Sequence, residues 1–230
     1  VRVPRVHRES STVRVLTLER LGGLKPDDLA ALERGGLDPR IVAERLFAQY
    51  LSMIFVHGFF HADPHPGNLR VLPGHVIGYL DFGMMGRLGR ATRESLAEVV
   101  LAIAQRDEGA LSAALLSLAD FDEEPERRAF EADVAELMDQ YAYRPLSELR
   151  LGRLLEQLFS TSTSHRLRIP PELFLMVKAV TELECLTRLL DPAFDAVAAA
   201  APFIRWVHEE RLKPGRLLEV DPSGKIVHEI

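Results

Sequence analysis

His61-Ala62-Asp63-Pro64-His65-Pro66-Gly67-Asn68, followed after a short interval by Asp81-Phe82-Gly83, is the stretch that decides how this chain folds. Between the two blocks lie Leu69-Arg-Val-Leu72 and Val76-Ile-Gly-Tyr-Leu80, separated by Pro73-Gly74. Two runs rich in branched residues around a Pro-Gly turn predict a β-hairpin. An antiparallel hairpin returns the chain to its starting point, so the Asn68 amide and the Asp81 carboxylate emerge side by side. Hard oxygen ligands at one point suit Mg²⁺, which takes one or two protein ligands and fills its remaining positions with water and phosphate oxygens. Asp63 adds a second carboxylate nearby, able to orient or deprotonate a hydroxyl or water beside a metal-bound phosphate.

Other readings of the same residues are open. His61, Asp63 and His65 form H-x-D-x-H, a pattern some transition-metal sites use. The flanking Pro64 and Pro66 and the following Asp-Phe-Gly favour phosphate chemistry instead, and His61 then reads as a structural histidine that holds the loop. Asp81 taken alone is an ordinary turn aspartate. Its pairing with Asn68 and Asp63 is what gives it a role.

Outward from this centre, Ile41 to Gly58 carries apolar residues at helical spacing: Val42, Leu46, Tyr50 and Ile54 on one row, Phe47, Leu51 and Phe55 beside it. So wide a stripe predicts a helix deep in the core. Asp38 can cap it, with Pro39 at the first helical position. Further upstream, Val13 to Leu18 alternates in the manner of a strand and runs into Gly22-Gly23, and Val1 to Val6 also reads as strand material. Downstream of Gly89 the chain is helical nearly to its end, over about 92–106, 109–119, 124–141, 147–160, 171–190 and 193–211, punctuated by prolines. The tail, from Leu217 to His228, suits a second hairpin. The expected class is α+β, mainly α, with one catalytic-loop hairpin and many helices.

A hydrophobic fraction of 47% and a charged fraction of 27% support a packed core over 230 residues. The net charge of −6 argues against general nucleic-acid binding, which needs a basic face. The single cysteine, Cys185, excludes an internal disulfide and reads as a small buried hydrophobe on a helix. No stretch reaches the roughly 18 consecutive apolar residues of a membrane-spanning helix. Phe203 to Arg216 mixes apolar, aromatic and basic residues, which suits an ordinary amphipathic helix or contact with a membrane surface. The chain starts at Val1 without a signal peptide and already in strand-like sequence, so it reads as a piece of a longer protein.

The pattern His61, Asp63, Asn68, then Asp81-Phe82-Gly83, matches the catalytic loop and Asp-Phe-Gly segment of protein kinases at six fixed positions. Gly58-Phe-Phe-His-Ala-Asp-Pro-His-Pro-Gly-Asn68 with Tyr79-Leu-Asp-Phe-Gly-Met84 resembles the UbiB/AarF group of atypical kinases more closely still. Val15-Leu-Thr-Leu-Glu-Arg-Leu-Gly-Gly23 resembles the hinge of that group, and Ile169-Pro-Pro171 and Glu184 to Phe194 its late helices. The resemblance implies a protein-kinase-like C-terminal lobe: 1–18 as the last strand of an N-terminal lobe that is mostly missing, 19–23 as hinge, 24–216 as helical lobe and 217–230 as tail. It implies Asp63 as the catalytic-loop aspartate, Asn68 and Asp81 as ligands of Mg²⁺ and nucleotide, and Glu19 and Leu21 at the adenine.

The same resemblance implies ATP binding, kinase or ATPase activity, and support of ubiquinone or other isoprenoid-lipid metabolism. It also implies a cytoplasmic protein held at the inner membrane through parts outside this chain. Ala62 stands where many protein kinases carry the arginine that pairs with a phosphorylated loop, and few residues separate Gly83 from the next helix. Both features disfavour a protein acceptor and favour a small molecule, a lipid or water. Rival expectations are a small-molecule kinase of the aminoglycoside or choline kinase kind, which usually lacks the glycine after Asp-Phe, and a non-catalytic pseudokinase.

Overall fold

Helix α2 runs from Pro39 to Leu51 at the centre of the molecule. Its start is the one its sequence predicts. Asp38 accepts a hydrogen bond from Arg40 N at 2.9 Å, and Pro39 occupies the first turn, where no backbone donor is needed. The apolar stripe is buried along its length, from Val42 and Ala43 through Leu46, Phe47, Tyr50 and Leu51. The computed structural model describes residues 1–123, 125–143, 145, 148–211, 218–220 and 226–229. Within them the fold is mostly helical, with small antiparallel strand pairs gathered around one loop.

Past Leu51 the helix widens into a π-helical turn, Ser52–His57, and stops at Gly58 in the left-handed region (φ 61°). The carbonyls left open at that end are taken by Arg93, whose guanidinium donates to Phe55 O at 2.8 Å and Val56 O at 2.7 Å. Burial pulls the Arg93 pKa down, so the group is held at some desolvation cost. Arg93→Met should lower stability by about 1–3 kcal/mol, because two carbonyls lose a charged donor. Chemical denaturation measures that loss, and faster amide exchange at Gly58 to His61 would accompany it. An unchanged midpoint would mean that water replaces the guanidinium without penalty.

β1 (Phe59–His61) pairs antiparallel with β4 (Met85–Arg87), His61 opposite Met85. β2 (Leu69–Leu72) and β3 (Val76–Tyr79) form the expected hairpin about Pro73–His75, with Gly74 at φ 73°. Neither outer edge of the hairpin is bare. Leu24 exchanges two backbone hydrogen bonds with Val71 (2.9 and 2.8 Å), and Arg2 bridges Ile77 and Tyr79 (2.8 and 3.0 Å). Pairing these edges satisfies backbone groups that would otherwise template aggregation. The strand-like Val1 to Val6 is thus partly realised, at Arg2.

Val13 to Leu18 does not form the strand its alternation predicts. Leu18 makes one isolated bridge to Val6, while Thr12 turns the chain by accepting from Arg14 N and Val15 N. Alternation marks a side chain pattern that a strand can use, but a strand needs a neighbour along its whole length, and none lies beside Val13, Val15 and Leu16, which are exposed.

The helices are α1 (Leu29–Arg34), α3 (Arg90–Gln105), α4 (Glu108–Leu118), α5 (Arg127–Asp139), α6 (Leu151–Ser164), α7 (Pro171–Leu190) and α8 (Ala196–Arg211). Six match the expected segments to within a few residues at each end, and short α1, capped by Asp28, is additional. α7 and α8 pack on α2, α6 on α7, and α4 and α8 on α3. Cys185 is exposed, not buried. The inward face of α7 takes Leu183, Glu184, Leu186 and Thr187, which leaves Cys185 on the outside. No helix among the described residues is long and apolar enough to cross a membrane. The tail strands β5 (Leu218–Val220) and β6 (Ile226–Glu229) pair antiparallel as expected, while Leu217 and residues 221–225 lie outside the described part.

Candidate functional site

The loop from His61 to Asn68 leaves the end of β1, and the segment from Leu80 to Met84 enters β4 beside it. Ala62 N donates to Met84 O at 2.9 Å, and Leu80 N to Asn68 O at 2.9 Å. The two blocks singled out in the sequence are therefore tied together at two points. β1 and β4 are the part that sequence reasoning missed: three-residue strands are too short to carry an alternating signal.

His61, buried between the blocks, links them. Its Nδ1 accepts from Asp63 N at 3.2 Å, and its Nε2 bonds the Asp81 carbonyl. An Nδ1 that accepts leaves the proton on Nε2, so one neutral tautomer satisfies both bonds. The ring also packs edge-on to Phe82 (centroids 5.8 Å apart) and beside Tyr79 (5.5 Å). Tyr50, from the centre of α2, donates its hydroxyl to His61 O at 2.8 Å. Burial raises the pKa of that phenol far above its usual value, which keeps it a donor. His61 is thus the loop-holding histidine expected, with both ring nitrogens engaged. His65 uses Nδ1 to accept from Gly67 N at 3.0 Å. His61, with both ring nitrogens engaged, and His65, with Nδ1 turned to Gly67, do not point their nitrogens at a shared centre with Asp63 as the H-x-D-x-H alternative would require.

Asp63 and Asn68 are in contact. The Asn68 side-chain nitrogen donates to Asp63 Oδ2 at 2.9 Å and to the Asp63 carbonyl at 3.1 Å. With both donors spent, the Asn68 amide oxygen is what the side chain has left to offer, as an acceptor. Asp81 Oδ1 accepts from Gly83 N at 2.8 Å, closing the turn, and the residue is exposed with Oδ2 unpartnered among the described residues. The remaining oxygen of Asp63, Oδ1, lies 3.6 Å from Lys178 Nζ on α7. No sequence signal pointed to that lysine.

Glu19 and Leu21 lie in a non-helical segment that crosses the hairpin. The Glu19 carboxylate accepts from Arg2 (2.6 Å) and from Arg5 N (3.0 Å), and those bonds, the backbone one foremost, hold its pKa low. Its N–H is committed to Arg5 O at 2.7 Å, whereas the Glu19 carbonyl and the Leu21 N–H make no backbone bond among the described residues. Leu21 packs over Gly78 of β3, where a side chain at 78 would meet its Cδ1 at 3.2 Å. A cavity of about 590 Å³, with Asp122, Pro125, His165 and Arg168 in its lining, shares no residue with the Asp63 site, and its walls are already joined by the Arg168–Asp122 pair.

A loop with the H-x-D-x-x-x-x-N pattern and an Asp-Phe-Gly segment, joined by a hairpin and seated on a helical lobe, define a protein-kinase-like fold. The model of the ABC1 atypical kinase-like domain matches residues 1–115, and that of the UbiB helical domain matches 134–195. A "probable protein kinase UbiB" of Xanthomonas euvesicatoria is 32% identical over 99% of this chain and 42% of its own length. An uncharacterized protein of Synechocystis is 34% identical over 88% of this chain and 35% of its own. The solved structure of Rv3197 from Mycobacterium tuberculosis, in complex with erythromycin, superposes with a TM-score of 0.53 at 17% identity, over 83% of this chain and 49% of that one. The chain belongs to the UbiB/AarF family of atypical kinases. It spans about two fifths or less of the length of the curated relatives named here.

Proposed function

We propose that this chain is the catalytic lobe of an ATP-dependent phosphotransferase or ATPase serving isoprenoid-quinone or related lipid metabolism at a membrane. The observation that carries the reading is the Asp63–Asn68 side-chain pair held against Asp81 through His61. Asn68 and Asp81 would offer an amide oxygen and a carboxylate oxygen, a hard-donor pair of the size Mg²⁺ takes from a protein. Bound there, Mg²⁺ would neutralise charge on the nucleotide phosphates. The Glu19 carbonyl and the Leu21 N–H are the groups that would meet adenine. Asp63 sits where it can take the proton of an acceptor O–H as that oxygen bonds to the terminal phosphorus. The bond to the bridging oxygen breaks, and ADP leaves with the electron pair.

The acceptor is a small molecule, a lipid or water. Only Met84 to Gly89 lie between Gly83 and α3, and β4 occupies half of that segment, so no chain remains to dock an extended peptide. Phe82 and Met84, both exposed beside Asp81, give that edge of the site an apolar character that suits an isoprenoid ligand. That edge would lie at a membrane surface on the cytoplasmic side.

Asp81→Asn in the whole protein should abolish most magnesium-dependent nucleotide binding, because the charge facing the metal is lost while the shape is kept. Isothermal titration with Mg-ATP tests it. Unchanged affinity would remove Asp81 from the metal and leave the phosphotransferase reading without its centre. Normal nucleotide binding by the unaltered protein with no turnover toward any lipid or water would favour a pseudokinase.

A further inference from the structure

Phosphoryl transfer places a highly charged group among carboxylates, and a site of this kind needs positive charge aimed at the transferring oxygens. The loop between Asp63 and Asn68 is Pro64-His65-Pro66-Gly67 and carries no lysine or arginine. The structure supplies one from elsewhere. Helix α7 packs against α2 and β4, and this brings Lys178 to the loop, with Nζ 3.6 Å from Asp63 Oδ1 and 3.7 Å from Glu182 Oε1 one turn on.

Two features of this lysine point beyond a simple ion pair. Both contacts are long. A saturated ammonium–carboxylate hydrogen bond closes to about 2.7–2.9 Å, so these two carboxylates flank the ammonium without consuming its three donors. Its side chain is 52% exposed, against 33% for Asp63, so the lysine is open to solvent beside the carboxylate that would receive the acceptor's proton. Beneath it, Glu182 keeps Oε2 buried with no hydrogen-bond partner. That negative charge gives Lys178 a tether that holds it beside the site when Asp63 engages an acceptor.

The geometry points to Lys178 as a phosphate-binding residue: its ammonium meets the terminal phosphoryl group of a nucleoside triphosphate beside Asp63, with Glu182 as its tether. This rests on the phosphoryl-transfer reading above. An ammonium at that point contacts the phosphoryl group that a triphosphate has and a diphosphate lacks. Lys178 therefore discriminates between the two, whereas a lysine that only props Asp63 does not.

The test uses the whole protein and two readouts. In the first, acetic anhydride labels surface amines and mass spectrometry follows Lys178, with no nucleotide, with Mg-ADP and with Mg-ATP. Mg-ATP should slow its modification by about tenfold while Mg-ADP changes it little, as expected for a charge-assisted contact made with the triphosphate alone. In the second, affinities for the two nucleotides are compared for Lys178→Met and Lys178→Arg. The methionine variant should lose about tenfold in its preference for Mg-ATP over Mg-ADP, and the arginine variant should recover most of it. If the unaltered protein binds both nucleotides and Lys178 labels equally fast with either, the assignment is overturned and the phosphotransferase reading stands. An ATP-to-ADP preference that the methionine variant retains while turnover falls would overturn it too, and would leave Lys178 acting through Asp63 alone. A protein that binds neither nucleotide overturns both this assignment and the reading it rests on.

Discussion

Asp63→Asn in the whole protein should lower turnover by about 10² or more while leaving Mg-ATP affinity nearly intact. The substitution keeps the shape of the side chain and removes the group that would accept a proton. Its local anchors survive. The Asp63 N–H still reaches His61 Nδ1, and Asn68 can still donate to the backbone carbonyl of residue 63. The new amide must turn its oxygen to the Asn68 nitrogen, now 2.9 Å from Oδ2, because the alternative sets two donors face to face. Its NH₂ then faces Lys178, which Glu182 still holds beside the site. The nucleotide ligands proposed on Asn68 and Asp81 are untouched, so binding persists and the chemical step fails. A factor of 10² corresponds to about 2.7 kcal/mol in the barrier. Steady-state kinetics beside isothermal titration separate the two effects. Equal losses in affinity and turnover would move Asp63 from the acceptor onto the metal.

What the sequence disclosed and what it withheld divide along a physical line. Asp63, Asn68 and Asp81 are legible because their chemistry and spacing lie within one loop and one hairpin, and a hairpin's geometry follows from its turn. The six late helices are legible because amphipathic period and proline punctuation are local signals. Lys178 is not legible. Its apolar neighbours show which face of α7 is buried, but the residue that meets Asp63 depends on how far α7 slides along α2 and β4, and nothing local encodes that. The same holds for one edge of the β2–β3 hairpin, closed by Leu24 where the sequence carries no strand pattern, whereas the other edge is closed by Arg2 within the strand-like Val1 to Val6. Val13 to Leu18 is the converse, a good strand pattern without a partner. Cys185 fails for a subtler reason: charged residues are spread around α7 and one of them, Glu184, is buried, so composition alone does not say which residues face inward.

Gly152→Ala should destabilise the protein by about 3 kcal/mol or more, a loss at the upper end of core overpacking. α6 begins with no side-chain cap of its own. Glu184 reaches across from α7 instead, with Oε1 accepting from Leu151 N at 2.8 Å and Oε2 from Gly152 N at 2.9 Å. The carboxylate is buried. Desolvation raises its pKa, and the two backbone donors together with nearby Arg188 and Arg150 pull the other way. So close an approach of the two helices requires a glycine at 152. A Cβ there would lie 2.3 Å from Thr181 Oγ1 and 2.9 Å from both Thr181 Cα and N. The hydroxyl could be removed, but the backbone of α7 cannot step aside. α6 must therefore lift from α7, which stretches both Glu184 bonds and leaves orphan N–H groups at a buried helix start. Denaturant unfolding followed by helical circular dichroism measures the loss. Adding Thr181→Ala should restore only part of it, since the contacts at 2.9 Å remain. Full rescue by that second change, or a midpoint unmoved by the first, would show that the helices are free to separate and that the Glu184 bridge contributes little to holding them.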